Sequence, residues 1–164
     1  MGLLQRYDEI LTALLVGLRA LYGARLVACA VYGSVGRGTP REDSDVDLLI
    51  VARDLPVGRV ARVEEFLPVE ARLESMLAGA QAGPGAIALS PVFKTPEELA
   101  AGSPLLLDMV EDARLLYDPE GVLRRCLDRL RSRLQELGAR RVPHGGAWYW
   151  ELKPDLKPGE VFTL

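Results

Sequence analysis

Two apolar runs, Leu26 to Tyr32 and Leu48 to Val51, flank the polar segment Gly33-Ser34-Val35-Gly36-Arg37-Gly38-Thr39-Pro40-Arg41-Glu42-Asp43-Ser44-Asp45-Val46-Asp47. Each run reads as a strand, and nearly continuous apolar character marks a strand buried on both faces. The short distance between them constrains the fold more than any other feature. Parallel neighbours need a crossover of about a dozen residues or more, usually a whole helix. Ser34 to Ser44, interrupted by Gly36, Gly38 and Pro40, has room for one or two helical turns. The two strands are therefore expected to be antiparallel or splayed, which argues against a Rossmann unit.

The same segment carries the chemistry. Side chains alternate along a strand, so Asp45 and Asp47 are expected on one side of it. Two such carboxylates repel unless a cation lies between them, a pattern that suits a divalent metal. The turn at Gly33-Ser34 offers backbone N–H groups and a hydroxyl, which suit phosphate oxygens. Gly36 and Gly38 read as turn positions needing positive φ. The glycines follow G-x-x-G-x-G rather than the dinucleotide order, and the Gly-Lys-Ser/Thr ending of a Walker loop is missing.

Gly33-Ser34, followed by Ser44-Asp45-Val46-Asp47-Leu48 between two apolar strands, resembles the signature of the nucleotidyltransferase superfamily that includes DNA polymerase beta. It is most similar to the minimal nucleotidyltransferases of prokaryotes. The resemblance covers about residues 25 to 52 and implies transfer of a nucleoside monophosphate from a nucleoside triphosphate, with ATP the expected donor, to a hydroxyl. By the same resemblance Asp45 and Asp47 are the catalytic, metal-holding pair for Mg²⁺. Gly33 and Ser34 hold the outer phosphates. The family pattern does not specify Arg37 and Arg41, but their place in the same loop would let them add positive charge near those phosphates. Two Mg²⁺ ions are expected if a later strand supplies a third carboxylate. The later strand contains no acid, which leaves Glu70, Glu74, Glu97 and Asp108 as substitutes; Asp43 shares parity with the pair, but the family pattern does not need it. Many minimal nucleotidyltransferases resemble antitoxins that bind and modify a helical partner, so a toxin–antitoxin role is the alternative. A degenerate member that binds nucleotide without reacting is the other.

Around this segment the fold is expected to be α+β, a small mixed sheet flanked by helices. Leucines and tyrosines at three- and four-residue steps predict a helix over 3–22, ended by Gly23. A second helix is expected over 57–82 with an interruption at Pro68, then a loop over 79–85 and an edge strand over 86–93 containing Pro91. Thr95-Pro96, Ser103-Pro104 and Asp118-Pro119 each pair a capping side chain with proline at a helix start. The second of these helices is expected to bury Leu105, Leu106, Met109, Val110, Ala113 and Leu116. The third is expected to reach Leu137. Residues 1–118 form the expected nucleotidyltransferase domain. Residues 119–164 add an amphipathic helix and an irregular or extended aromatic, Lys-Pro tail, packed on the same domain or across a homodimer.

The 164 residues carry a net charge of −3, so no overall basic field draws the chain to nucleic acid or membrane. Arg124, Arg125, Arg129, Arg131, Arg133, Arg140 and Arg141 make a local basic edge. A solvated helix face explains it more simply than nucleic acid does, and a role for nucleic acid is left open. Cys29 and Cys126 read as small buried hydrophobes. With no secretory or membrane-spanning run, the cytoplasm is the expected compartment. His144 reads as a polar tail residue. Trp148-Tyr149-Trp150 reads as cover for an exposed core edge.

Overall fold

The computed structural model describes residues 2–79, 88–145 and 147–164. Helix α1 (Leu3–Tyr22) buries Tyr7, Ile10, Leu11, Leu14 and Leu18, the stripe its periodicity predicts, and a short turn at Gly23–Arg25 leads into β1 (Leu26–Tyr32). A single helical turn, α2 (Gly33–Gly36), follows, and then β2 (Val46–Ala52). These strands are antiparallel, with Tyr32 opposite Asp47 and Cys29 opposite Ile50. The short connection excludes a parallel pair, and of the two arrangements it allows, antiparallel or splayed, the chain adopts the first.

Helix α3 (Arg59–Gly79) then carries the chain back across the sheet, so β3 (Leu89–Lys94) lies parallel to β2. Contrary to expectation, Pro68 sits inside α3 without ending it. Pro68 is exposed, so the Glu64 carbonyl that loses its N–H partner meets water, while Phe66 and Val69 on either side stay buried. Gly17 of α1 faces Val69 so closely that a Cβ there would lie 2.9 Å from Val69 Cγ1, which lets the two helices pack tightly. Most of the loop expected over 79–85, and residues 86 and 87 of the expected strand, lie outside the described residues.

Helix α4 (Pro96–Ala100) opens with Thr95 as its cap, as the sequence predicts, and Glu98 completes a capping box with it. Helix α5 (Leu105–Asp112) stops earlier than expected. Arg114–Tyr117, read as its continuation, forms β4 on the free edge of β1. Leu116 keeps the helical spacing only by coincidence; the backbone groups along β1's open side need partners, and β4 supplies them. Helix α6 (Val122–Glu136) starts later than its Asp-Pro signal suggests. Asp118 still caps it, accepting from the Leu123 and Arg124 N–H groups at 3.3 and 2.8 Å across an intervening turn. The tail is extended: β5 (Arg140–His144) and β6 (Ala147–Glu151) make a separate antiparallel hairpin.

The sheet order is β3-β2-β1-β4. One face, with Cys29, Val31, Leu48 and Ile50, packs on α1 and α3. The other, with Ala28, Ala30, Leu49 and Val51, packs on α5 and α6. This double burial explains why β1 and β2 are apolar at nearly every position. Trp150 Nε1 donates to Leu107 O at 3.2 Å, so the hairpin covers an edge of the second core layer. Among the described residues, no helix is long and apolar enough to cross a membrane.

Candidate functional site

At the end of β1 the backbone turns through Gly33 at φ +66°, a region that favours glycine. A Cβ at Gly33 would overlap the Asp47 carboxylate, so close packing as well as conformation requires glycine there. The α2 turn is closed by hydrogen bonds from Arg37 N to Gly33 O at 3.0 Å and from Thr39 N to Ser34 O at 2.9 Å. Gly38 has the positive φ expected of it, but Gly36 does not. Gly36 is required by space: a Cβ there would lie 2.6 Å from Asp112 O and 2.8 Å from Val31 O. Those are backbone atoms and cannot move aside, so Gly36 docks α2 against the end of α5.

The next turn is held from inside. Ser44 Oγ accepts from Arg41 N at 2.8 Å and from Ser34 Oγ at 3.2 Å. The Tyr7 hydroxyl, reaching up from α1, donates to Arg41 O at 3.0 Å and to Ser44 O at 2.8 Å. Ser34 and the residue preceding Asp45 are therefore tied to one another and, through the backbone, to a buried tyrosine. In the sequence Tyr7 is one member of an apolar stripe, and its role at the turn has no local signal.

Asp47 sits in β2 and is half-buried, whereas Asp45 lies just before the strand and is exposed. Burial pushes the Asp47 carboxyl above its usual range. The nearby Asp45 charge pushes it further, and Arg37 partly offsets both. Two carboxylates this close, beside a turn rich in N–H groups and hydroxyls, can hold a polyanion together with a divalent cation. The donors are oxygens only, which suits Mg²⁺, an ion that keeps several waters and uses phosphates as ligands.

Gly33, Ser34, Asp45 and Asp47 thus come together at one end of the β1–β2 pair. Arg37 lies beside them but is engaged, its Nη1 donating to Asp112 Oδ2 at 3.0 Å. Arg41 contributes its backbone to the turn, and its side chain is exposed. In β3, the residue in register with Asp47 is Ser90. Register partners in parallel strands project to the same side, so a hydroxyl stands where a third carboxylate would be expected. Of the substitutes, Asp108 on α5 shares with Asp47 an effect on Tyr32, whose hydroxyl is pushed up to about 12 by burial and then by those two charges. On α3 the Glu70 carboxyl is raised by burial and then by the Glu74 charge, and Glu97 is lowered by a hydrogen bond with Thr95. Among the described residues, no three His, Cys, Asp or Glu side chains form a metal-holding group.

The model of the nucleotidyltransferase domain family matches residues 13–78, from within α1 to the end of α3. Protein adenylyltransferase MntA of Thermococcus cleftensis is 36% identical over 74 residues, covering 45% of this chain and 68% of that protein. MJ1305 of Methanocaldococcus jannaschii, named provisionally as a protein adenylyltransferase, is 27% identical over 132 residues, covering 79% of this chain and 84% of its own length. The crystal structure of a substituted MntA–HpeT toxin–antitoxin has a similar fold. Its TM-score is 0.52 at 20% identity, covering 77% of this chain and 88% of that one.

Proposed function

This chain belongs to the minimal nucleotidyltransferases of the DNA polymerase beta superfamily, and we propose that it transfers AMP from ATP to a hydroxyl on a partner protein. The observation that carries the reading is the contact between Gly33 and the Asp47 carboxylate, with Ser34 joined through Ser44 to the segment bearing Asp45. The phosphate-binding turn and the paired carboxylates form one site. The names of both relatives, each a protein adenylyltransferase, support a protein as the acceptor, and the toxin–antitoxin assembly of the fold neighbour supports a toxin as that protein, a helical one by the family resemblance.

Asp45 and Asp47 would hold one nucleotide-borne Mg²⁺ ion, which when bound would neutralise triphosphate charge and stabilise the pyrophosphate that leaves, with an Asp45 or Asp47 carboxylate placed to take the acceptor hydroxyl's proton. Ser34 Oγ and the N–H groups of α2 would orient the outer phosphates. Arg37 would add positive charge at the same edge. The two-stranded platform beneath keeps these groups rigid, because β1 and β2 are buried on both faces.

The test is incubation of the protein and its co-purifying helical partner with Mg–ATP. Pyrophosphate release and a gain of AMP mass on the partner are expected, both lost in Asp45→Asn and in Asp47→Asn. Unchanged turnover in both variants refutes the reading. Ser90 in the register position beside Asp47 favours a second reading, nucleotide binding without transfer. Saturable Mg–ATP binding with no pyrophosphate in the presence of the partner would select it.

A further inference from the structure

The paired tryptophans of the C-terminal hairpin reach the phosphate turn through a buried carboxylate. Asp112 ends α5, and its side chain is only 8% exposed. Arg37 Nη1 donates to its Oδ2 at 3.0 Å, while Arg141 Nη1 and Nη2 donate to Oδ1 and Oδ2 at 3.3 and 3.4 Å. Arg141 belongs to β5. Its guanidinium carbon lies 3.9 Å from the Trp148 ring centre and 5.3 Å from that of Trp150. One carboxylate is thus shared by an arginine of the site and an arginine stacked in the hairpin.

We propose that Asp112 and Arg141 are positioning residues that hold Arg37 at the edge of the phosphate site, with the hairpin tryptophans fixing Arg141 in that role. The proposal rests on the reading of Arg37 as a phosphate-binding side chain. A carboxylate with a single arginine partner tends to take it in a two-pronged grip. Here Arg141 occupies part of both oxygens. Arg37 is held by one nitrogen, and its remaining N–H groups sit on a side chain that is 42% exposed. Two guanidinium groups against one carboxylate leave net positive charge beside the turn, where a triphosphate would need it. The contact cannot loosen by drift of α2, because Gly36 packs directly on the Asp112 backbone. Without Arg141, Asp112 would draw Arg37 fully onto itself and away from a ligand.

The experiment titrates the full chain with Mg–AMP-PNP, and separately with AMP, which lacks the outer phosphates. Arg141→Met is expected to weaken Mg–AMP-PNP about fivefold and to leave AMP unchanged. Arg37→Ala weakens Mg–AMP-PNP further, and the double variant is no weaker than Arg37→Ala alone, because Arg141 acts through Arg37. Arg141→Lys, which returns the charge without the planar fork, recovers part of the loss. Tryptophan emission reports whether the hairpin is intact; if Arg141→Met disturbs it, Arg141→Lys and Asp112→Asn carry the test. A loss in Arg37→Ala with none in the Arg141 variants, or losses that add in the double variant, overturns the proposal alone. Unchanged affinity in Arg37→Ala removes the phosphate reading of Arg37 and the proposal with it.

Discussion

Replacing Asp47 by Asn should make the unliganded protein more stable while destroying its response to nucleotide. The two aspartates are two residues apart, so their carboxylates, projecting to one side, are separated by roughly 7 Å. At that distance two unit charges repel by about 0.6 kcal/mol in water and about 2.4 kcal/mol at an effective dielectric of about 20. Asp45 is exposed, which places the repulsion toward the lower end, at about 1 kcal/mol. Removing it should raise the thermal midpoint by about 2–4 °C for a domain of this size. The pH dependence fixes the sign. Asp47 holds its proton more tightly folded than unfolded, so the stability linked to that proton is complete below the unfolded value of 3.8 and is lost as pH rises through the raised folded value. The gap between Asp47→Asn and the parent should therefore vanish near pH 3 and be fully open at pH 7. Calorimetry across that range, with and without Mg–ATP, reads both halves. Mg–ATP should stabilise the parent and leave the variant nearly unmoved. A variant no more stable than the parent at pH 7, or a gap that does not change with pH, would refute the electrostatic reasoning.

Tyr7→Phe removes the donor to Arg41 O and Ser44 O; it should cost about 1 kcal/mol and weaken Mg–nucleotide binding, and an unchanged nucleotide affinity would separate the clamp from the site. Gly36→Ala forces a Cβ onto two backbone oxygens, and a loss of about 2 kcal/mol in urea unfolding is expected, against a near-zero change if α2 can shift. Arg62 donates to both Glu98 oxygens at 2.7 and 2.8 Å, and this bond, before the Thr95 backbone contact, brings the Glu98 carboxyl down to about 2. Its stabilisation is present above the unfolded value of 4.5 and is lost as pH falls toward 2. Because Glu98 is 43% exposed, screening limits it to about 1 kcal/mol. Glu98→Gln should cost that much at pH 7 and nothing near pH 2, as unfolding curves at the two pH values would report.

The parts of this molecule that were legible in the sequence are those specified by local pattern. Helix α1 and strand β1 follow from apolar spacing, and the turn to β2 from a connection too short for a parallel crossover. The Gly33, Ser34, Asp45 and Asp47 cluster followed from residue types at fixed spacing. What escaped was decided by distant partners. Strand β4 exists because β1 needs a neighbour on its open edge, and Leu116 gives no local sign of that. Pro68 is tolerated because its side of α3 meets water. Asp112 follows an apolar stripe like any capping residue, and only the fold brings Arg37 and Arg141 to it from opposite ends of the chain. Gly36 looked like a conformational glycine and is a spatial one, a distinction that needs the neighbour's coordinates.

Strand β3 is the outer strand on its side of the sheet, with Pro91 opposite Leu48 in its register. A proline there withholds one donor from any strand that would add to this edge, and Lys94 ends it with a charge. Ser90, next to Asp47, lies on the same strand. If the acceptor is a protein, as proposed, adding to the sheet as a strand beside β3 is disfavoured at this edge. The proposed reaction would then have that acceptor present its hydroxyl from a helix face or a loop, at the end of the sheet where Gly33, Ser34, Asp45 and Asp47 meet, rather than along the β3 side.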